Sequence, residues 1–176
     1  EGRLDGDALE ASLTRLVERH EALRTTFVAQ DGRPIAVIGP PARMTLTRLA
    51  VGSEAEALRW AGAEARRPFD LATGPLLRLA VLRVAEEVHV VVLTIHHIVA
   101  DGPSLGVLAQ DLATFYRAEL HREQARLSPL SIQYADYARW QSERATEEDL
   151  AYWRQRLAGA PALLVSPRSW TIRKSI

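Results

Sequence analysis

The chain has 176 residues, of which 47% are hydrophobic and 25% charged, enough for one domain with a substantial core. Lys and Arg number 22 and Asp and Glu also 22, and no basic block is interleaved with aromatics, which excludes the usual footprint of a nucleic-acid or anionic-membrane binder. The absence of cysteine removes disulfides, thiolate nucleophiles and Cys-based metal sites and suits a reducing cytosol, and no signal peptide or apolar run of bilayer length is expected.

In chain order, Asp5 or Asp7 caps a helix with Leu9, Leu13, Leu16 and Val17 on one face, ending near His20 or Glu21. Arg24 to Gln30 reads as a strand, Asp31-Gly32 as a tight turn and Arg33 to Ile38 as the returning strand, which Pro34 places at an edge or makes start late. After the break at Gly39-Pro40-Pro41, Met44 to Leu49 adds a short strand. Ser53 then caps a helix running to about Arg66. Phe69 anchors the following loop, which feeds a strand over Leu76 to Val84. Glu86-Glu87 turns the chain into Val88 to Ile95, a β-branched run that reads as a strand covered on both faces. His89 is an ordinary residue of that strand.

Next comes His96-His97-Ile98-Val99-Ala100-Asp101-Gly102, followed by a helix from Pro103 to about Leu120 that carries Leu108, Leu112 and Phe115. Pro103 suits its first turn, and His121 complements the charge of its far end. Polar groups at the carboxyl end of a strand, facing a helix N-terminus, are the expected place for a site in an α/β fold. Imidazoles suit proton movement near neutral pH. Adjacent strand residues point to opposite faces, so the two histidines have different tasks, one toward the core and one toward a cavity. Asp101 folds back to fix the loop, and Gly102 allows a tight path and close approach of a substrate. The plain alternative is a buried histidine pair satisfying backbone carbonyls. The divergence of His96 and His97, with Asp101 four residues on, gives no convincing metal-ligand spacing. Past a loop at Ser128-Pro129, helices are expected over Gln133 to Glu143 and Glu147 to Leu157, packing Tyr134, Tyr137, Trp140, Tyr152 and Trp153 against the body of the fold.

His96-His97-x-x-x-Asp101-Gly102 resembles the His-His-x-x-x-Asp-Gly signature of the condensation domains of nonribosomal peptide synthetases, in the chloramphenicol acetyltransferase-like superfamily. Arg19-His20-Glu21-Ala22-Leu23-Arg24-Thr25-Thr26-Phe27 resembles that family's Arg-His-Glu-x-Leu-Arg-Thr-x-Phe motif. Tyr134 to Trp140 is similar to its Tyr-x-Asp-Tyr-Ala-x-Trp motif, and Tyr152 to Pro161 to the helix that usually follows. Pro68-Phe69-Asp70-Leu71 with Gly74-Pro75-Leu76-Leu77-Arg78 is another phrase of the family. Pro103 departs from its usual Trp, which affects local packing and any selectivity drawn from that Trp. The resemblance covers residues 1–164, and residues 165–176 read as a tail of unknown origin.

The resemblance implies an α/β (α+β sandwich) fold, a chloramphenicol acetyltransferase-like lobe with a mixed sheet covered by helices. It further implies the N-terminal one of two similar lobes with the site between them, so that the C-terminal lobe is expected elsewhere and this piece is expected to be inactive alone. The implied reaction is acyl transfer from a donor thioester to the amine of an acceptor aminoacyl thioester, both on phosphopantetheine arms. His97 is then the base or positioner, the Gly102 N–H helps to hold the oxyanion, and His96 and Asp101 keep the loop geometry. Asp101 is expected to pair with an Arg of the other lobe, and Arg24 and Arg19 to support the site. No cofactor or metal is expected on the domain itself. The implied partners are carrier-protein domains, an adenylation domain and the C-terminal lobe, in the cytoplasm, without nucleic acid or membrane. A CoA-dependent acyltransferase of the same superfamily and a non-catalytic docking module for carrier proteins are the alternatives.

Overall fold

In a computed structural model, residues 2–144 and 146–160 are described. The expected tail at 165–176 lies outside them. The chain forms two compact units, the first ending at Tyr137 and the second beginning at Ala138.

The first unit starts with α1 (Gly6–Arg19), capped by Asp5, whose carboxylate accepts from the Asp7 and Ala8 N–H groups. A single 3-10 turn over Glu21–Arg24, not expected from the sequence, leads into β1 (Thr25–Gln30). Its partner β2 (Arg33–Ile38) pairs antiparallel in a register that sets Gln30 opposite Arg33. Asp31 at φ 51° and Gly32 at φ 74° make the two-residue turn, whose twist matches that of the strands it joins. As Pro34 suggested, β2 is an edge strand, exposed along its whole length.

The second sheet has the order β3 (Thr47–Ala50), β4 (Leu77–Ala85), β5 (Val88–Ile95). β3 runs parallel to β4, with the Ser53-capped α2 (Glu54–Arg66) between them in sequence, whereas β4 and β5 form an antiparallel hairpin. The sheet is therefore mixed. Leu77, Leu79 and Val81 alternate on the face of β4 that joins Leu9, Leu13, Leu16 and Val17 of α1 and Leu108 and Phe115 of α3 (Gly102–His121) in the core. Arg78, on the other face, reaches α2. Helices thus cover both faces of β4.

The expectation that Val88 to Ile95 is covered on both faces does not hold. β5 is the edge of its sheet, with Val91 48% and Leu93 37% exposed, and the strand buried on both sides is β4. Periodicity cannot separate these cases, because apolar runs occur in both positions.

A polar seam joins α1 to α3. Arg19 Nε donates to Asp111 Oδ2 at 2.9 Å, His20 Nε2 lies 2.8 Å from the same oxygen, and Arg15 pairs with Glu119 at 2.9 Å. Past α3, α4 (Tyr134–Arg144) runs from the first unit into the second, and α5 (Glu147–Arg156) lies in the second. Neither helix buries a residue, and Tyr134, Tyr137, Trp140, Tyr152 and Trp153 are 41–64% exposed. No helix among the described residues is long and apolar enough to cross a membrane.

Candidate active site

The strand that delivers the site ends at Ile95, so both histidines lie just past it rather than on it. They diverge nonetheless. The His96 N–H donates to Leu76 O at 2.9 Å, continuing the β4–β5 ladder by one step. Its carbonyl accepts from the Val99 N–H at 3.1 Å, and its Nδ1 accepts from the Ile98 N–H at 3.1 Å. An accepting Nδ1 leaves the proton of the neutral ring on Nε2. The His96 imidazole meets the Phe69 ring edge-on, with centroids 5.7 Å apart. His97, in the turn itself, is exposed, and among the described residues no hydrogen bond holds its ring.

Asp101 is the N-cap of α3. Its carboxylate accepts from the Ser104 N–H at 3.0 Å and from the Ser104 hydroxyl, while the Asp101 N–H donates to Ser104 Oγ at 3.3 Å. Those Ser104 donors hold the carboxyl below the usual Asp range, and the nearby His97 adds a smaller effect in the same direction. The group is exposed.

In the first turn of α3 the Ser104 N–H is occupied, Pro103 has none, and the Leu105 N–H donates to Asp101 O at 3.3 Å. The Gly102 N–H remains, with no partner among the described residues. A Cβ on Gly102 would meet nothing within 4 Å and its φ is not positive, so local backbone geometry does not require glycine there.

The other two candidate residues lie in different surroundings. Arg19 is spent on Asp111, which is buried in α3. Arg24 donates to Gly39 O and, at 3.2 Å, to Glu21. Neither contact involves His97 or Asp101. These bonds give the Arg19–Phe27 motif a local account: Arg19 and His20 tie α1 to α3, Glu21 and Arg24 brace the 3-10 turn, Leu23 is buried, and the Phe27 N–H donates to Leu71 O at 2.7 Å.

Two further charged groups stand in apolar surroundings without a role assigned from the sequence. Arg78 lies with its Cζ 3.7 Å from the Phe69 centroid and pairs with Glu64 of α2. Asp111 is the other. Each interrupts an apolar pattern, Arg78 within Leu76 to Leu82 and Asp111 on the Leu108–Phe115 face, and a charge in such a place requires a partner. Among the described residues no cluster of three His, Asp or Glu side chains has the arrangement of a metal site.

A family model described as the condensation domain matches residues 1–173. A linear gramicidin synthase of Brevibacillus parabrevis is 44% identical over 177 residues, covering 95% of this chain and 4% of that protein. A phosphinothricin tripeptide synthetase of Streptomyces viridochromogenes is 42% identical over 171 residues, covering 92% and 16%. Among solved structures, the X-domain from teicoplanin biosynthesis superposes with a TM-score of 0.79 at 34% identity, over 91% of this chain and 37% of that one. The starter condensation domain of rhizomide synthetase gives a TM-score of 0.76 at 25% identity, over 92% and 41%. The chain therefore spans about two fifths of these solved structures and a small part of the curated relatives.

Proposed function

The chain belongs to the condensation-domain family, with its chloramphenicol acetyltransferase-like fold, and on that premise we propose that it supplies the histidine-bearing part of a site for amide-forming acyl transfer. The observation that carries the reading is the exposed His97 ring in the turn between β5 and α3, near enough to Asp101 to act on its carboxyl. The amine of an acceptor aminoacyl thioester attacks the carbonyl of a donor acyl or peptidyl thioester. The C–N bond forms, the C–S bond breaks, the thiolate leaves and the amine gives up its proton.

An amine is a good nucleophile and a thiolate a competent leaving group, so orientation of the amine by His97 matters at least as much as proton removal by it. In this reading the Gly102 N–H, which has no partner among the described residues, helps to hold the tetrahedral oxyanion. Asp101 and His96 shape the turn, and Arg19 and Arg24 support it from a distance through α3 and the 3-10 turn. The substrates arrive on phosphopantetheine arms of carrier-protein domains, loaded by an adenylation domain, and the domain itself uses no cofactor or metal. The C-terminal lobe of the same domain closes the tunnel, and the cysteine-free sequence suits a cytoplasmic synthetase.

The test is amide formation between donor and acceptor aminoacyl carrier proteins by the full synthetase carrying this chain, as wild type and as His97→Ala. Product is expected from the wild type and a loss of about a hundredfold or more from the variant. Equal rates would point instead to a docking module, and turnover of free acyl-CoA in place of carrier-bound donor to a CoA-dependent acyltransferase.

A further inference from the structure

We propose that Phe69, clamped by Arg78 and Glu64, is a positioning residue that orients His96 and thereby the turn that carries His97. The inference rests on the reading of His97 above and extends it to residues to which that reading gives no role.

The clamp begins with a charge in an apolar place. Arg78 stands in β4 among Leu77, Leu79 and Leu82, and its side chain is 16% exposed. Its guanidinium donates to the carboxylate of Glu64, itself 9% exposed, and to three carbonyl oxygens at the end of α2: Arg67 O at 2.9 Å, Glu64 O at 3.3 Å and Pro68 O at 3.4 Å. So many acceptors fix a planar cation in one orientation. The Phe69 ring lies against that cation, its centroid 3.7 Å from Cζ, a close cation–π contact.

The backbone around Phe69 is tied as well. Asp70 accepts from the Ala72 N–H at 2.9 Å through its carboxylate and from the Gly74 N–H at 2.9 Å through its carbonyl. The ring so placed meets the His96 imidazole at 88°, the edge-on geometry favoured by aromatic pairs. On its other side His96 holds the turn, with Nδ1 accepting from the Ile98 N–H and its carbonyl from the Val99 N–H. His97 lies between His96 and Ile98. If the His96 ring rotates, the Ile98 N–H loses its acceptor and the His97 backbone is released.

The experiment has two independent readouts on the full synthetase. The first is modification by diethyl pyrocarbonate, followed by peptide fragmentation that separates His96 from His97. The reagent needs a free ring lone pair, and that of His96 is engaged by Ile98, so slow modification of His96 is expected in the wild type. Phe69→Leu is expected to raise the His96 rate several-fold, with Phe69→Tyr restoring the slow rate and His20, His89 and His121 unchanged as controls for global unfolding. The second readout is carrier-protein condensation: Phe69→Leu is expected to lower kcat about ten- to hundredfold with KM for the acceptor nearly unchanged. An unchanged His96 rate, or an unchanged kcat in a variant enzyme that condenses and depends on His97, overturns the inference. If wild type and His97→Ala condense equally, the proposed reaction has failed, and the modification rates still decide whether Phe69 orients His96.

Discussion

Asp101 and Ser104 hold each other at the entry to α3, each using its side chain on the other's backbone N–H. The aspartate of the signature therefore has a task inside this chain: it shapes the last step of the loop and starts the helix. Its carboxyl is held below the usual Asp range by the Ser104 donors. A group with a lowered folded value gives its stabilisation above its unfolded value and loses it as pH falls through the folded one. The Ser104 amide is accordingly expected to stay protected from exchange near neutrality and to lose that protection, relative to its intrinsic rate, only as pH falls below the usual Asp range. Asp101→Ala is expected to expose that amide at every pH, and Asp101→Asn to keep most of its protection. Hydrogen exchange read at Ser104 checks both. The spacing of the motif suggested that Asp101 folds back on the loop. Its capping role was legible too, in a serine three residues past an aspartate at a helix start, but only with the helix begun one residue earlier than Pro103.

Among the elements, β4 carries the burden that the β-branched run of β5 assigned to that strand. Leu82 in β4 is fully buried, whereas Val91 in β5 is 48% exposed. Leu82→Ala is expected to cost about 2–5 kcal/mol of stability through lost burial and a residual cavity, and Val91→Thr less than about 1 kcal/mol. Urea unfolding midpoints at constant m decide between the two assignments. Local signals were otherwise sound: β2 and β5 have the expected bounds, and Asp31-Gly32, Ser53 and Pro34 act as their chemistry suggested. What stayed illegible depends on tertiary partners. The 3-10 turn at Glu21–Arg24 is braced by Arg24 reaching Gly39, the Asp111 carboxylate is met from α1, and Glu64 meets Arg78 across 14 positions. No periodicity reports such pairs. A lone charge in an apolar run is the one trace they leave.

At the scale of the whole molecule, carboxylates tied to backbone donors recur along the chain. Glu10 accepts from the Leu46 N–H, Asp70 from the Ala72 N–H and Asp149 from the Thr146 hydroxyl and N–H, and each is held below its usual range by those donors, as Asp101 is by the Ser104 hydroxyl and N–H. All four have the same sign, so acid removes their contributions together. Resistance to urea is expected to fall as pH drops below about 4, and circular dichroism through a pH series of urea titrations checks it. Glu64, Phe69, Arg78, His96, His97, Asp101 and Ser104 all fall within one continuous stretch from α2 to the start of α3, and their contacts were described above. That contiguity bears on the making of hybrid synthetases. A recombination junction placed before Ser53 or after His121 transfers the ring clamp and both histidines as a block of single parentage. A junction in the bend between Asp70 and Gly74 draws Phe69 from one parent and Arg78 from the other, and hybrids joined there are expected to lose turnover while still folding.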